Sequence, residues 1–278
     1  MASNGWQNNA TFDPYAQTFV LLQPDGLTPF PALLGDVLAL NTVSVTQGII
    51  YGTQVGISGL LLLILLIMTK PDKRRSLVFI LNSLSLLLIF ARNVLSCVQL
   101  TTIFYNFYNW ELHWYPESPA LSRAMDLSAA TEVLNIPIDV AIFSSLVVQV
   151  HIVCCTIHTL VRTSALLSSA AVGLAAVAVR FALAVVNIKY SIFGINTLTE
   201  PQFNLIVHLK RVSDILTVVA IAFFSSIFVA KLGVAIHTRR TLNLKNFGAI
   251  QIIFIMGCQT MLIPCKCTLI IRQPSSHR

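Results

Sequence analysis

Charge is scarce in this chain: Asp, Glu, Lys and Arg together make up 10% of its 278 residues, while hydrophobic types make up 55% and mean hydropathy is +0.77. A soluble domain usually carries about a quarter of its residues charged, so the composition excludes one and predicts a membrane protein. Also missing are a glycine-rich phosphate loop, a His-Glu-x-x-His element and a serine-nucleophile elbow. No enzymatic activity and no cofactor is therefore expected. The opening MASNGWQNNATFDPYAQ lacks a basic region ahead of an apolar core, so no cleavable leader is expected and the first apolar run must act as its own insertion signal. The six cysteines (Cys97, Cys154, Cys155, Cys258, Cys265, Cys267) sit inside or at the ends of apolar runs, which argues against a disulfide framework.

What the chain does have is long apolar runs. A hydrocarbon core of about 30 Å takes roughly 20 helical residues, and that length selects residues 46–68, 77–100, 133–155, 165–187, 212–234 and 247–271. The fold class expected is all-α, a polytopic bundle of six transmembrane helices. Residues 1–45 form an amino-terminal segment before it, and 272–278 a short tail after it.

The basic residues report orientation rather than nucleic acid, because they fall in short turns. KPDKRR occupies 70–75, HTRRTLNLK occupies 237–245, and His158 and Arg162 sit between the third and fourth runs. The amino-terminal segment carries Asp13, Asp25 and Asp36 without Lys or Arg, and the connection before the third run carries Glu111 and Glu117. By the positive-inside rule the amino terminus is expected outside the cell. The Asn9-Ala10-Thr11 sequon then lies where glycosylation is possible.

Several polar or small residues within the runs need a partner or a use. Gly48, Gly52 and Gly56 share one helix face and suit close helix pairing, either with a neighbouring span or with a second copy. Asp139 and Arg180 are intramembrane charges, each costing about 3 kcal/mol if isolated. Counting about 1.5 Å per residue puts both in the outer half, so an ion pair between the third and fourth spans is expected, as a structural staple or as part of a ligand pocket. Lys210, Arg211 and Asp214 stand about 31 Å from Lys231 along one helix, and the two ends can snorkel to opposite interfaces. The aromatic run 104–110 with Trp114 and Tyr115 suits a headgroup belt or a peptide-contacting surface. His151, Cys154, Cys155 and His158 have metal-ligand chemistry at helical spacing, but they straddle a membrane edge with no carboxylate nearby in sequence, and no metal is expected there.

Short basic inner turns and an outside amino terminus fit a seven-helix receptor lacking one helix. The acidic-Arg-aromatic triplet of rhodopsin-like receptors is absent, since the third run ends QVHIVC. From about Val45 to Pro264 the chain instead resembles the fungal α-factor mating-pheromone receptors, the class D G-protein-coupled receptors. The motifs that carry the likeness are SVTQGIIYGTQVG, FILNSLSLLLI, SSLVVQVHIV, KLGVAIHTRR and LKNFGAIQIIFIMGCQTMLIP. The resemblance implies a plasma-membrane receptor for a secreted mating-type peptide, coupled to a heterotrimeric G protein.

It implies site roles too. Asn82 and Gln149 match the family's inward polar positions, and with Glu132, Asp139, Arg180, Lys210 and Arg211 they are the candidate ligand contacts. Arg239, Arg240, Leu244 and Lys245 face the G protein, Gln259 and Pro264 form the activation hinge, and the glycine face pairs two receptors in the lipid. Family members continue past the sixth-helix proline into a seventh span and a cytosolic tail, whereas here CKCTLIIRQPSSHR follows. Truncation after helix six is expected, and Cys265-Lys266-Cys267 can be encoded across an intron-donor sequence, which suggests a retained intron. Two other readings are a non-signalling isoform that pairs with and regulates a full-length receptor, and a transporter or channel.

Overall fold

The computed structural model describes residues 13–154, 159–195 and 199–241. Within them the chain is a polytopic membrane helix bundle. A β-hairpin of β1 (Thr18–Leu22) and β2 (Pro29–Leu33) comes first. It is followed by α1 (Leu34–Met68), α2 (Leu77–Gln99), the short α3 (Phe107–Leu112), α4 (Pro119–Val153), α5 (Thr159–Val186) and α6 (Glu200–Thr241). Five of these helices are long and apolar enough to cross a bilayer. The expected span at 247–271 lies outside the described residues. Large apolar side chains cover their outer faces, with Leu167 71% and Leu174 70% exposed. In water such a surface would aggregate, whereas lipid accommodates it.

Helices α1, α4 and α6 run well beyond the apolar windows read from sequence, and local chemistry explains where the helices begin and end. Ser76 accepts a hydrogen bond from the Phe79 N–H at the start of α2, and Ser118 accepts from Leu121 ahead of α4, whose first residue is Pro119. A proline at that position has no N–H to leave unpaired. At α6 the Gln202 side chain reaches back to the Thr199 N–H, one half of a capping box. Arg74 closes α1 by donating to the carbonyls of Leu66 and Thr69 at 2.6 and 3.0 Å. The basic turn therefore caps a helix C-terminus.

Hydroxyls inside the spans satisfy themselves locally. Ser44, Ser58, Ser96, Thr131, Ser169 and Thr217 each donate to the carbonyl four residues back. This lets small polar residues sit in an apolar helix without a partner from another span.

The chain divides into two compact units, residues 1–139 with 184–204, and residues 140–183 with 205–278. In the first, α1 lies along α2 with glycines at the approach. A Cβ at Gly59 would stand 3.3 Å from the Phe90 ring, and one at Gly48 would stand 3.5 Å from Leu100. In the second, Phe143, Val150, Ala176, Ala220 and Phe224 form the core. The Phe143 and Phe224 rings meet at 6.3 Å, and Gly173 gives Phe143 room, since a Cβ there would stand 3.4 Å from that of Phe143. His151 is bonded to Arg162 at 3.1 Å, while Cys155 and His158 of the histidine-cysteine motif lie outside the described residues.

The hairpin is not evident from the sequence of the amino-terminal segment. Its turn is built by Asp25, whose carboxylate accepts the N–H groups of Leu27 and Thr28 and the Thr28 hydroxyl, with Gly26 in the left-handed region at φ +70. Those hydrogen bonds, the Thr28 hydroxyl first, hold the Asp25 carboxyl below its ordinary 3.8. A depressed carboxyl stabilises the turn above its unfolded value and loses that contribution as pH falls through the folded one. Protection of the Thr28 amide, measured against its intrinsic exchange rate at each pH, is therefore expected to hold down to about pH 4 and to fall below it, whereas Asp25→Ala shows little protection at any pH.

Candidate functional site

Within the first unit, one end of the bundle encloses a cavity of about 400 Å³, within the size range of small-ligand pockets. Four pieces of chain reach it: α1 at Leu40–Gln47, the end of α2 at Gln99, α4 at Ser128–Glu132, and the segment Asn187–Ile195 after α5. Helix direction reverses from span to span, so all four pieces meet at the end that carries the amino-terminal hairpin. The connection between α2 and α4 closes one side with Phe104, Tyr105, Trp110 and Tyr115.

Each wall is held by a specific contact. Tyr105 donates its hydroxyl to Gln47 Oε1 at 2.8 Å, tying the connection to α1. Burial pushes the Tyr105 phenol above its ordinary 10, with Tyr51 adding to the effect, so it remains a neutral donor at physiological pH. Gln99 Nε2 donates to Ser128 Oγ at 2.8 Å, joining α2 to α4. Tyr115 packs edge-on against Phe104 with ring centroids 5.5 Å apart, a favoured geometry for aromatic pairs. Asn106 caps α3 through the Tyr108 N–H, and the Tyr108 hydroxyl donates to the Leu22 carbonyl of the hairpin. Phe19 and Phe107 meet beside it at 5.9 Å. On the fourth wall, residues Asn187–Ile192 form a wide π-helical turn, of the kind often found at functional sites. Asn187 and Ser191 both line the cavity from it.

Of the candidate ligand contacts, the structure places Glu132 in this cavity. Asp139 lies about 10 Å further along α4 and is half-buried. Asn82 stands about 25 Å from Gln99 along α2, too far to share the cavity. In the second unit Gln149 donates to Ser145 at 3.1 Å. There Arg180 is half-buried, and Lys210 and Arg211 are exposed. Arg239 and Arg240 fall on the last turn of α6, while Asn9, Leu244, Lys245, Gln259 and Pro264 lie outside the described residues. Gly52 and Gly56 are exposed, and a Cβ added at either would meet nothing within 4 Å, whereas Gly48 faces α2.

Gln47, Gln99, Ser128, Asn187 and Ser191 carry no sequence signal that marks them as ligand contacts. Gln47 does stand inside a family motif, the Thr-Gln pair opening the first run. The others are small or amide side chains at span ends, where polar residues are ordinary.

Comparison with known proteins adds an independent finding. The family model "Fungal pheromone mating factor STE2 GPCR" matches residues 12–273. A pheromone alpha factor receptor of Saccharomyces cerevisiae is 30% identical over 232 residues, covering 82% of this chain and 51% of that protein. One from Lachancea kluyveri is 27% identical over 227 residues, covering 79% of this chain and 50% of that protein. The chain thus spans about half the length of the curated relatives it matches.

Proposed function

The chain belongs to the fungal pheromone mating factor STE2 family of G-protein-coupled receptors, and on that premise we propose that it senses a secreted peptide pheromone and couples to a heterotrimeric G protein. The observation that carries this reading is the cavity in the first unit. It combines an aromatic wall with amide, hydroxyl and carboxylate groups, the mixture that orients a peptide through a few polar contacts within an apolar pocket. In this reading, which the positive-inside pattern supports, that end faces outside the cell and the basic stretch with Arg239, Arg240, Leu244 and Lys245 faces inside, at the plasma membrane.

Signal transfer in this reading is a shift between two bundle arrangements, biased by whichever one the peptide binds better. Gln259 and Pro264 are the proposed activation hinge, since a proline lacks the backbone donor that a straight helix uses. The exposed Gly52 and Gly56 on α1 favour pairing of two copies, since small residues let helix backbones approach closely in lipid. The same face would serve a regulatory role toward a longer receptor.

The test expresses the full chain in yeast cells without a receptor of their own but with a heterotrimeric G protein and a transcriptional reporter. The cells are challenged with synthetic alpha factors of the two matched yeasts and with a pool of random short peptides. At least one peptide is expected to raise the reporter. Arg239→Glu with Arg240→Glu should abolish that response while peptide binding persists. Surface-expressed chain that answers no peptide contradicts the reading.

A further inference from the structure

The geometry points to Glu132 as the counter-ion for a cationic group on the ligand, an inference that rests on the receptor reading above and specifies what the peptide must carry. Among the described residues, those lining the cavity include no Lys, Arg or His, and Glu132 is the one carboxylate. Among the described residues its one hydrogen bond comes from Asn135 Nδ2, one turn along the same helix, at 3.3 Å. That is long for N–H···O, and an ionised carboxylate has room for about four donors. Among the described residues, no basic side chain bonds to it. Glu132 stands one residue before the apolar run 133–155, at the edge of the bilayer, where a partly desolvated carboxylate gains from a positive partner.

The rest of the cavity has the same electrical preference. Three of its donors are engaged within the protein: the Tyr105 hydroxyl with Gln47, the Gln99 amide with Ser128, and the Thr131 hydroxyl with the Leu127 carbonyl. The groups that remain are neutral apart from Glu132, which keeps open acceptor capacity and the one formal charge among the described lining residues. The other wall is aromatic, with Phe104, Tyr105, Trp110 and Tyr115, and ring faces attract cations. Carboxylate and aromatic faces around one space select an ammonium or a guanidinium and repel a carboxylate. The group is therefore a Lys or Arg side chain or a free amino-terminal ammonium, and the peptide's carboxyl end is kept out of this cavity.

The experiment incubates the full chain, in phosphatidylcholine nanodiscs to avoid non-specific attraction of basic peptides, with two random pools of short synthetic peptides. One pool has free amino termini and the other acetylated ones. Bound peptides are identified by mass spectrometry on the native chain, Glu132→Asp, Glu132→Gln and Glu132→Lys. The native chain should retain peptides enriched in Lys or Arg from both pools if a side chain is the cation, or peptides from the free pool only if the amino terminus is. Losing one partner of a desolvated charge pair weakens binding by about 30-fold or more, and Glu132→Gln should show that loss. Glu132→Asp should keep the preference, and Glu132→Lys should reverse it toward acidic peptides. If Glu132→Lys fails to fold, the Gln and Asp variants decide alone. Peptides retained equally by native and Glu132→Gln chains, with the same composition, overturn the counter-ion and leave the receptor reading standing. Retention of no peptide by folded native chain overturns both.

Discussion

Replacing Phe224 with alanine should be the most damaging single truncation among the described residues, lowering unfolding free energy by roughly 2–3 kcal/mol. Phe224 is 1% exposed and lies against Phe143, beside Ala220 and Val150, each with almost no accessible surface. In a soluble core the same change costs about 3–5 kcal/mol, as lost transfer energy plus a cavity. In lipid the transfer part shrinks, because the alternative environment is also apolar, and what remains is the lost packing. Leu174→Ala also removes apolar volume, but from a side chain 70% exposed, and should change stability by no more than about 0.5 kcal/mol. Thermal unfolding of the two variants in the same nanodiscs makes the comparison. Equal shifts would mean that the second unit is not held by this core.

The second large effect concerns the cavity wall. Tyr105→Phe removes one oxygen and leaves the Gln47 carbonyl oxygen without its 2.8 Å donor. An orphaned, partly buried polar group costs about 1–3 kcal/mol. Gln47→Leu alone strands the phenol in the same way. The double variant strands neither group, so it should be more stable than the sum of the two single losses predicts, with a coupling of at least about 0.5 kcal/mol. Additive losses would show that the aromatic connection is not tied to α1 through this bond. Because both residues line the cavity, each single variant should also weaken peptide binding, while Phe224→Ala should act through stability alone.

Hydropathy made the bundle legible in advance, because a bilayer imposes one length on every span and excludes unpaired backbone. The helix ends were less legible. Ser118 with Pro119 and Thr199 with Gln202 are start signals of ordinary kind, but they lie in polar segments where a span-length criterion has no reason to look. The hairpin went unread for a related reason: FVLL and FPAL are too short to stand out beside spans of twenty residues. Part of the site was visible, since Glu132, an acid at the edge of the third apolar run, is among the candidate ligand contacts. The amide and hydroxyl groups around it were not visible. A bond such as Gln99 to Ser128 joins residues 29 positions apart, and neither is unusual at the end of a span. The width of the turn at Asn187–Ile192 likewise follows from backbone geometry that its composition does not announce.

Whether the activating peptide enters this cavity is answered by site-specific photo-crosslinking of the full chain in cells. A photoreactive phenylalanine derivative replaces Thr131 in the cavity wall or Ile57 on the lipid-facing side of α1, which is 55% exposed. Cells are then irradiated in the presence of a labelled peptide that activates the reporter. A covalent peptide adduct is expected at position 131 and none at position 57, with the adduct at 131 suppressed by excess unlabelled peptide. Peptide attached at 57 and absent from 131, in variants that reach the surface and still signal, would contradict a receptor that binds its ligand here.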